Sequence, residues 1–206
     1  ALFPNHCMCC NEIIDENEFL CDYCYEMIER FDAEKRCIVC GLDKDKCDCK
    51  RIIYHFEGCV VPFYNKGIAK ESLYKLKLSH KDYYTEFFAR EIVLRINEEM
   101  PDIKFDGICY VPGDIFSNLK RGFNQAELLA RRISEIMGIP IERKALYVKK
   151  KGKGQHNLTG HERFINVRGL YGYNYKNTGK TLLLIDDIKT TGATLDECTR
   201  QLLFSG

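Results

Sequence analysis

Nine of the chain's twelve cysteines lie in its first fifty residues, and eight of them fall into close pairs. The pairs read Cys7-x-x-Cys10, Cys21-x-x-Cys24, Cys37-x-x-Cys40 and Cys47-x-Cys49. Two thiolates that close can bite one ion from a tight turn, so four pairs suit two tetrahedral zinc sites. A disulfide framework needs an oxidising compartment, and no signal peptide opens the sequence to supply one. Four pairs in succession also argue for structure over a Cys-x-x-Cys redox centre. Two structural zinc ions are expected. The simplest pairing gives Cys7, Cys10, Cys21 and Cys24 one ion, and Cys37, Cys40, Cys47 and Cys49 the other. Spacing alone allows an interleaved pairing equally well. Cys9 is left over, and His6 stands where it could replace a ligand.

A fifty-residue segment with few aliphatic side chains buries little core, so metal is its expected source of folding energy. Charge divides the chain at the same place. Residues 1–50 stand at −6 and residues 51–206 at +7. Phosphate contacts need a basic footprint, so the acidic segment reads as a structural or protein-contacting ribbon rather than a DNA-binding finger. At 206 residues, 45% hydrophobic and 30% charged, the chain has the composition of a globular protein with one substantial domain and a small module. The boundaries are set at 1–50 and 51–206. No apolar run approaches the roughly 20 residues of a transmembrane helix. The expected location is cytoplasmic, with peripheral attachment at the inner face of the membrane left to a partner.

Beyond residue 50 the pattern alternates. Residues 57–65 read as a strand into a turn, and 66–78 as a helix with Ile68, Leu73 and Leu76 on one side. A long helix over 82–100 stops at Pro101, and 105–113 form a buried strand ending in Pro112-Gly113. Residues 124–138 are amphipathic, with Leu128, Leu129, Ile133, Ile136 and Met137 inward and Gly138 at the end. A strand over 179–188 and a helix over 194–204 follow. Such alternation predicts an α/β fold with a mostly parallel sheet and flanking helices.

The last strand carries the most chemistry. In LLLIDDIKTTGAT (182–194), Asp186 and Asp187 end the strand, and Thr190, Thr191, Gly192, Ala193 and Thr194 lead into a helix. Ligands of such sheets sit outside the carboxyl ends of the strands. The turn offers backbone N–H groups at a helix N-terminus and three hydroxyls, which together make a phosphate cradle. Gly192 clears the backbone for a close approach. The two carboxylates repel phosphate and instead accept hydrogen bonds from sugar hydroxyls. The combination points to a ribose 5-phosphate. A plain capped helix explains one of these polar residues and leaves the others unused. A Walker loop lacks its Gly-Lys-Ser/Thr ending here.

This string resembles the phosphoribosyl pyrophosphate (PRPP) motif of type I phosphoribosyltransferases. YVPGDIFSNLKRGFNQAELLAR (110–131), QHNLTGHERFINVRG (155–169) and the paired cysteines narrow the resemblance to the ComF/GntX family of competence-related proteins. The resemblance implies a zinc ribbon followed by a type I phosphoribosyltransferase-like domain that binds magnesium-bound PRPP, with a role in DNA uptake during natural transformation. It assigns the ribose hydroxyls to Asp186 and Asp187, and the 5-phosphate to Thr190–Thr194. The turn at Tyr110, Val111 and Pro112 matches the pyrophosphate loop. Arg121, Asn124 and Gln125 stand beside it, and Gln155, Arg163 and Asn166 belong to a loop over the site. Hypoxanthine-type relatives carry an acid where this chain has Thr190, so their general base does not transfer and no catalytic residue is assigned.

Three functions follow from these readings. The first is a PRPP-binding protein, or one binding a ribose 5-phosphate-containing nucleotide, that handles incoming single-stranded DNA. The second is an active phosphoribosyltransferase of nucleotide or base metabolism. The third is a zinc-stabilised scaffold docking on a DNA-translocating helicase or channel. Residues 143–153 (RKALYVKKKGK) hold six basic residues, no acid, and Tyr147. A mobile basic stretch with an aromatic suits a groove for single strands, contacted by Lys149, Lys150, Lys151 and Lys153.

Overall fold

The structure, a computed structural model, describes residues 4–47, 49–78, 82–113, 123–150, 160–174 and 179–204. The cysteine-rich segment opens with a short antiparallel pair, β1 (Asn5–His6) and β2 (Ile13–Ile14), then one helix, α1 (Asp22–Met27). Its apolar residues do not form a core of their own. Met8, Leu20 and Ile28 are buried in one cluster with Phe63, Leu73, Leu76, Phe87 and Phe88. Those partners come mainly from two helices, α2 (Gly67–Leu78) and α3 (Asp82–Glu99). Lys75 Nζ donates to the carbonyls of Met8 (2.9 Å) and Cys9 (3.1 Å), and the Tyr84 hydroxyl donates to Met8 at 3.3 Å. A segment poor in aliphatics thus folds against helices from the larger part.

Residues 57–65, expected as a strand, form none. Phe63 makes a single bridge to Arg30. The backbone of this stretch is committed to the cysteine-rich segment: Cys59 N–H donates to Ile38, Tyr64 N–H to Glu29, and Phe31 N–H to Pro62. Pro62 has no N–H to lend a ladder. Apolar residues over 57–65 satisfied the strand pattern, but the hydrogen bonds run to irregular chain.

The strand at Gly107–Tyr110, β3, pairs in parallel with Leu182–Ile185, β6, in the register Gly107↔Leu182 to Tyr110↔Ile185. Ile141 bridges in parallel to Ile108 on the other side of β3. Between them in sequence runs α4 (Gln125–Met137), capped by the Asn124 side chain, which accepts from Ala126 N–H, and closed by Gly138 at φ 67°. Leu129 and Ile133 are buried as expected, whereas Ile136 is exposed.

The remaining elements depart from the expectation. Leu146–Val148 (β4) and Tyr171–Tyr173 (β5) pair antiparallel, and Gly160–Val167 form a helix, α5. The sheet is therefore less parallel than the alternation predicted. Among the described residues, β3–β6 is the parallel pair, and the other two pairs are antiparallel. Three-residue strands carry too little periodicity to be read from sequence. The helix carried a signal that was passed over, because Thr159-x-x-Glu162 is a capping-box pattern. The final helix, α6 (Ala193–Phe204), completes a mixed α/β fold. No helix among the described residues is long and apolar enough to cross a membrane.

Candidate functional site

The cysteines gather into the sequential pairing. Cys7, Cys10, Cys21 and Cys24 form one tetrad, and Cys37, Cys40, Cys47 and Cys49 the other, each with its sulfurs within 4.8 Å of one another. The interleaved alternative is excluded by this geometry. Both tetrads start from the same knuckle. Cys7 N–H donates to Glu12 and its carbonyl accepts from Asn11; Cys37 N–H donates to Leu42 and its carbonyl accepts from Gly41. The residue closing each knuckle is left-handed, Asn11 at φ 67° and Gly41 at φ 68°, which Gly and Asn tolerate best.

The donor set fits zinc. Tetrahedral ligands about 2.3 Å from the ion place sulfurs about 3.8 Å apart. Cys10–Cys21 and Cys40–Cys47 stand at 3.6 Å, and Cys37–Cys49 at 3.8 Å. All are free thiols. Burial raises Cys7 and Cys37, but hydrogen bonds from nearby backbone N–H groups and neighbouring thiols outweigh it, bringing Cys7 down to about 6 and Cys37 to about 7. Each tetrad thus carries one thiol readily ionised near neutral pH. His6 is not a ligand. Its ring is hydrogen-bonded to the Asn11 carbonyl at 2.9 Å. Cys9 stands apart as well, 3.2 Å from the Ser72 hydroxyl. Cys59, Cys109 and Cys198 are core thiols; burial pushes Cys59 up to about 11 and Cys109 to about 12.

At the far end of the fold, Val111 N–H donates to the Ile185 carbonyl at 2.9 Å, carrying the β3–β6 ladder one step past its last pair. Pro112 and Asp186 therefore leave two neighbouring strand ends together. Asn124 joins them: its Nδ2 donates to the Val111 carbonyl at 3.0 Å while its Oδ1 caps α4. Gln125, the first residue of α4, is buried, and its Nε2 has no hydrogen-bond partner among the described residues. Tyr110 turns aside and donates its hydroxyl to the Arg143 carbonyl.

After Asp186 and Asp187 the chain turns through Gly192 at φ 83°, and α6 begins at Ala193. Asp186 Oδ1 accepts from the Asp187 N–H at 2.9 Å, and Thr191 Oγ1 lies 3.3 Å from the Ala193 N–H. Thr190 is exposed, and Thr191 and Thr194 are half-buried. Lys189 Nζ is buried without a hydrogen-bond partner among the described residues, 3.7 Å from where a Cβ on Gly192 would sit. The motif reading of 182–194 gives that cation no role, because its burial shows only in the fold.

Arg163 and Asn166 lie on α5 rather than on a loop. This helix packs against α6, and the turn after it is tied down by Gly169 N–H donating to Glu197 at 2.9 Å. Phe164 on α5 meets Tyr54 at 6.1 Å between ring centroids. Arg121 and Gln155 lie outside the described residues. So do Lys151 and Lys153 of the basic stretch. The stretch is also not one loop, because Leu146–Val148 are strand β4. Lys149 and Lys150 follow that strand, both exposed, with their N–H groups at 2.6 and 3.3 Å from the Leu170 carbonyl. Tyr147 is 39% exposed, and with Lys149 it lies over Gly172, where a Cβ would collide with both.

Two cysteine tetrads fit for metal, on a mixed α/β body, define the class. No protein-family model matches the chain. The DNA utilization protein YhgH of Escherichia coli (strain K12) is 25% identical over 141 residues, covering 65% of this chain and 60% of that protein. YhgH of Salmonella typhi is 28% identical over 101 residues, 49% of this chain and 44% of that protein. Competence protein F of Haemophilus influenzae is 29% identical over 100 residues, 47% of this chain and 44% of that protein. These relatives, 25–29% identical, support the resemblance to the ComF family that the sequence motifs carry. The chain spans about 60% of the length of the first relatives it matches.

Proposed function

We propose that this chain is a phosphoribosyltransferase-like protein that binds PRPP, or a nucleotide bearing ribose 5-phosphate, and serves DNA uptake by handling single-stranded DNA. The observation that carries the reading is the turn at Gly192. It follows two strand-end acids directly, leaves its backbone uncovered by a Cβ, and opens a twelve-residue helix. Phosphate there meets backbone N–H groups and a helix N-terminus. Asp186 and Asp187 accept from the ribose hydroxyls, and the unpartnered Lys189 ammonium adds positive charge beside the turn. Asn124 and Gln125 line the pyrophosphate side with the Tyr110–Pro112 turn, and magnesium enters with the pyrophosphate. Arg163 and Asn166, on α5, are assigned to the same ligand in this reading. The names of the relatives, DNA utilization protein and competence protein, support the DNA-uptake half. Single strands run along Tyr147 and Lys149–Lys150 toward Lys151 and Lys153. Calorimetric titration of PRPP with and without magnesium, followed by assay for released pyrophosphate, tests the binding and separates a sensor from a transferase.

One observation favours docking as a further role. The acidic ribbon exposes Tyr23, Met27 and Ile38, which are 67%, 55% and 55% accessible. An apolar face on an acidic module suits a protein partner better than a nucleic acid. The partner class under this reading is a DNA-translocating helicase or channel. Pull-down of such a motor by the wild-type protein, lost on Tyr23→Ser with Met27→Ser, tests it.

A further inference from the structure

The phosphate turn is held from behind by residues that belong to neither its strand nor its helix. Tyr54 donates its hydroxyl to the Thr191 carbonyl at 3.0 Å. Its ring abuts the turn so closely that a Cβ on Gly192 would lie 3.2 Å from Tyr54 Cε1. Next in sequence, the backbone N–H and Nδ1 of His55 both reach Asp196 Oδ1, at 2.6 and 3.0 Å. Asp196 is a buried carboxylate in the first turn of α6, and its own N–H donates to the Gly192 carbonyl at 2.8 Å. Residues 54 and 55 thus grip the turn on one side and the first turn of its helix on the other.

What places these two residues is the second cysteine tetrad. The strap that carries them leaves the tetrad at Cys49 and returns to it at Cys59. Cys59 N–H donates at 2.9 Å to the Ile38 carbonyl, inside the Cys37–Cys40 knuckle. The knuckle lies flush on the strap's far end, because a Cβ on Gly41 would stand 2.9 Å from Val61 Cγ2 and 3.0 Å from the Cys59 carbonyl. Arg36, just before the knuckle, donates to the Val61 carbonyl at 3.0 Å and pairs with Glu99 at the end of α3. The Cys59 thiol is close enough to Lys189 and Asp186 to feel both charges. Between the anchors, the strap's backbone is tied to α6 by the hydrogen bond from His55 N–H to Asp196. The first tetrad is placed otherwise, docked on α2 and α3 through Lys75, Tyr83 and Tyr84.

We propose that metal in the second tetrad sets the conformation of the ribose-phosphate turn through the strap, with Tyr54 as its positioning residue. This rests on the ribose-phosphate reading of the turn, but the coupling itself is measurable with no ligand present. A metal that ties Cys37 and Cys40 to Cys47 and Cys49 fixes both ends of the strap at once. Losing it frees both ends, and the turn keeps only its own strand and helix. The first tetrad is tied instead to α2 and α3, away from the strap.

Hydrogen exchange of the full chain, read on peptides covering 186–196 without ligand, tests the coupling. Zinc content is measured on each variant. Cys47→Ser, holding one zinc, is expected to exchange faster at 186–196, and Cys10→Ser, also holding one zinc, to leave those peptides at the wild-type rate. Tyr54→Phe is expected to keep both zinc ions and wild-type exchange over β3. It should still raise exchange at 186–196 about two- to tenfold, the range for one lost hydrogen bond. PRPP affinity should weaken in Cys47→Ser and in Tyr54→Phe. Wild-type protein without metal in the second tetrad overturns the proposal, as does wild-type exchange at 186–196 in Tyr54→Phe or in a folded Cys47→Ser. Should Cys47→Ser fail to fold, Tyr54→Phe alone decides by the same criterion. Wild-type protein that ignores PRPP sinks the ribose-phosphate reading, while the exchange comparison still decides the coupling.

Discussion

Val111 and Ile185 are joined by a backbone hydrogen bond of 2.9 Å, one step beyond the last register pair of β3 and β6. That bond carries the Tyr110–Pro112 turn and the Asp186–Asp187 pair off the sheet side by side. In open α/β sheets a ligand lies across such adjacent strand ends. The residues that the sequence motifs assigned to pyrophosphate and to ribose therefore leave the sheet at neighbouring strand ends, although about seventy positions separate them.

Purified protein should hold two zinc ions per chain. Elemental analysis reads this without any assumption about function. Cys10→Ser and Cys47→Ser should each lower the content to about one, because each removes a ligand from a different tetrad. A wild-type content near one removes one of the two sites, and none removes the module's source of folding energy.

The Gly192→Ala variant should be destabilised by about 1–2 kcal/mol, the cost of a left-handed conformation for a residue with a Cβ. Gly192 sits at φ 83°, and the added methyl meets Tyr54 Cε1 at 3.2 Å and Lys189 Cε at 3.3 Å. Denaturant unfolding gives the stability change. PRPP binding should fall further than stability does, since the methyl presses on Tyr54 and Lys189, which hold and charge the turn. A variant with wild-type stability and affinity would place the ligand elsewhere.

Single-stranded DNA affinity should fall steeply with salt, with log K against log salt sloping about −0.7 per phosphate contact. Replacing Lys149, Lys150, Lys151 and Lys153 with glutamine should flatten that slope and leave PRPP binding nearly unchanged. Loss of both activities together would mean the basic stretch closes over the ribose-phosphate crevice. Wild-type protein that ignores single strands at low salt would remove direct DNA binding. Deleting residues 1–50 is not a clean control, because Met8, Leu20 and Ile28 share a core with α2 and α3.

What the sequence disclosed follows from the range of each interaction. The cysteine pairs are local, and thiolates two or three residues apart announce their partner chemistry without a fold. Residues 182–194 are legible for the same reason, since strand end, acids, glycine and helix start are contiguous. Helix α4 is legible in its extent and its Gly138 stop, whereas its Asn124 cap went unread and Ile136, expected inward, is exposed. The strap was not. Tyr54 and His55 act on residues about 140 positions away, and nothing near them in sequence marks that contact. Residues 57–65 misled because an apolar, β-branched stretch looks the same whether its N–H groups meet a strand or a zinc knuckle. Lys189 and Gln125 show only in three dimensions that their polar ends are buried without hydrogen-bond partners among the described residues.

The ribose-phosphate site is decided by calorimetry of PRPP, with magnesium, on the wild type and on Asp186→Asn with Asp187→Asn. Under the proposed reading each carboxylate accepts a charge-assisted hydrogen bond from the ribose, worth about 1.5–3 kcal/mol, so losing two should weaken binding about a hundredfold or more. The double variant should keep its two zinc ions and its thermal unfolding transition, because both acids lie past the last paired residue of β6. Binding by the wild type with a loss of that size in the folded variant is the expected result. Unchanged affinity in the variant, or no binding by the wild type, would contradict it.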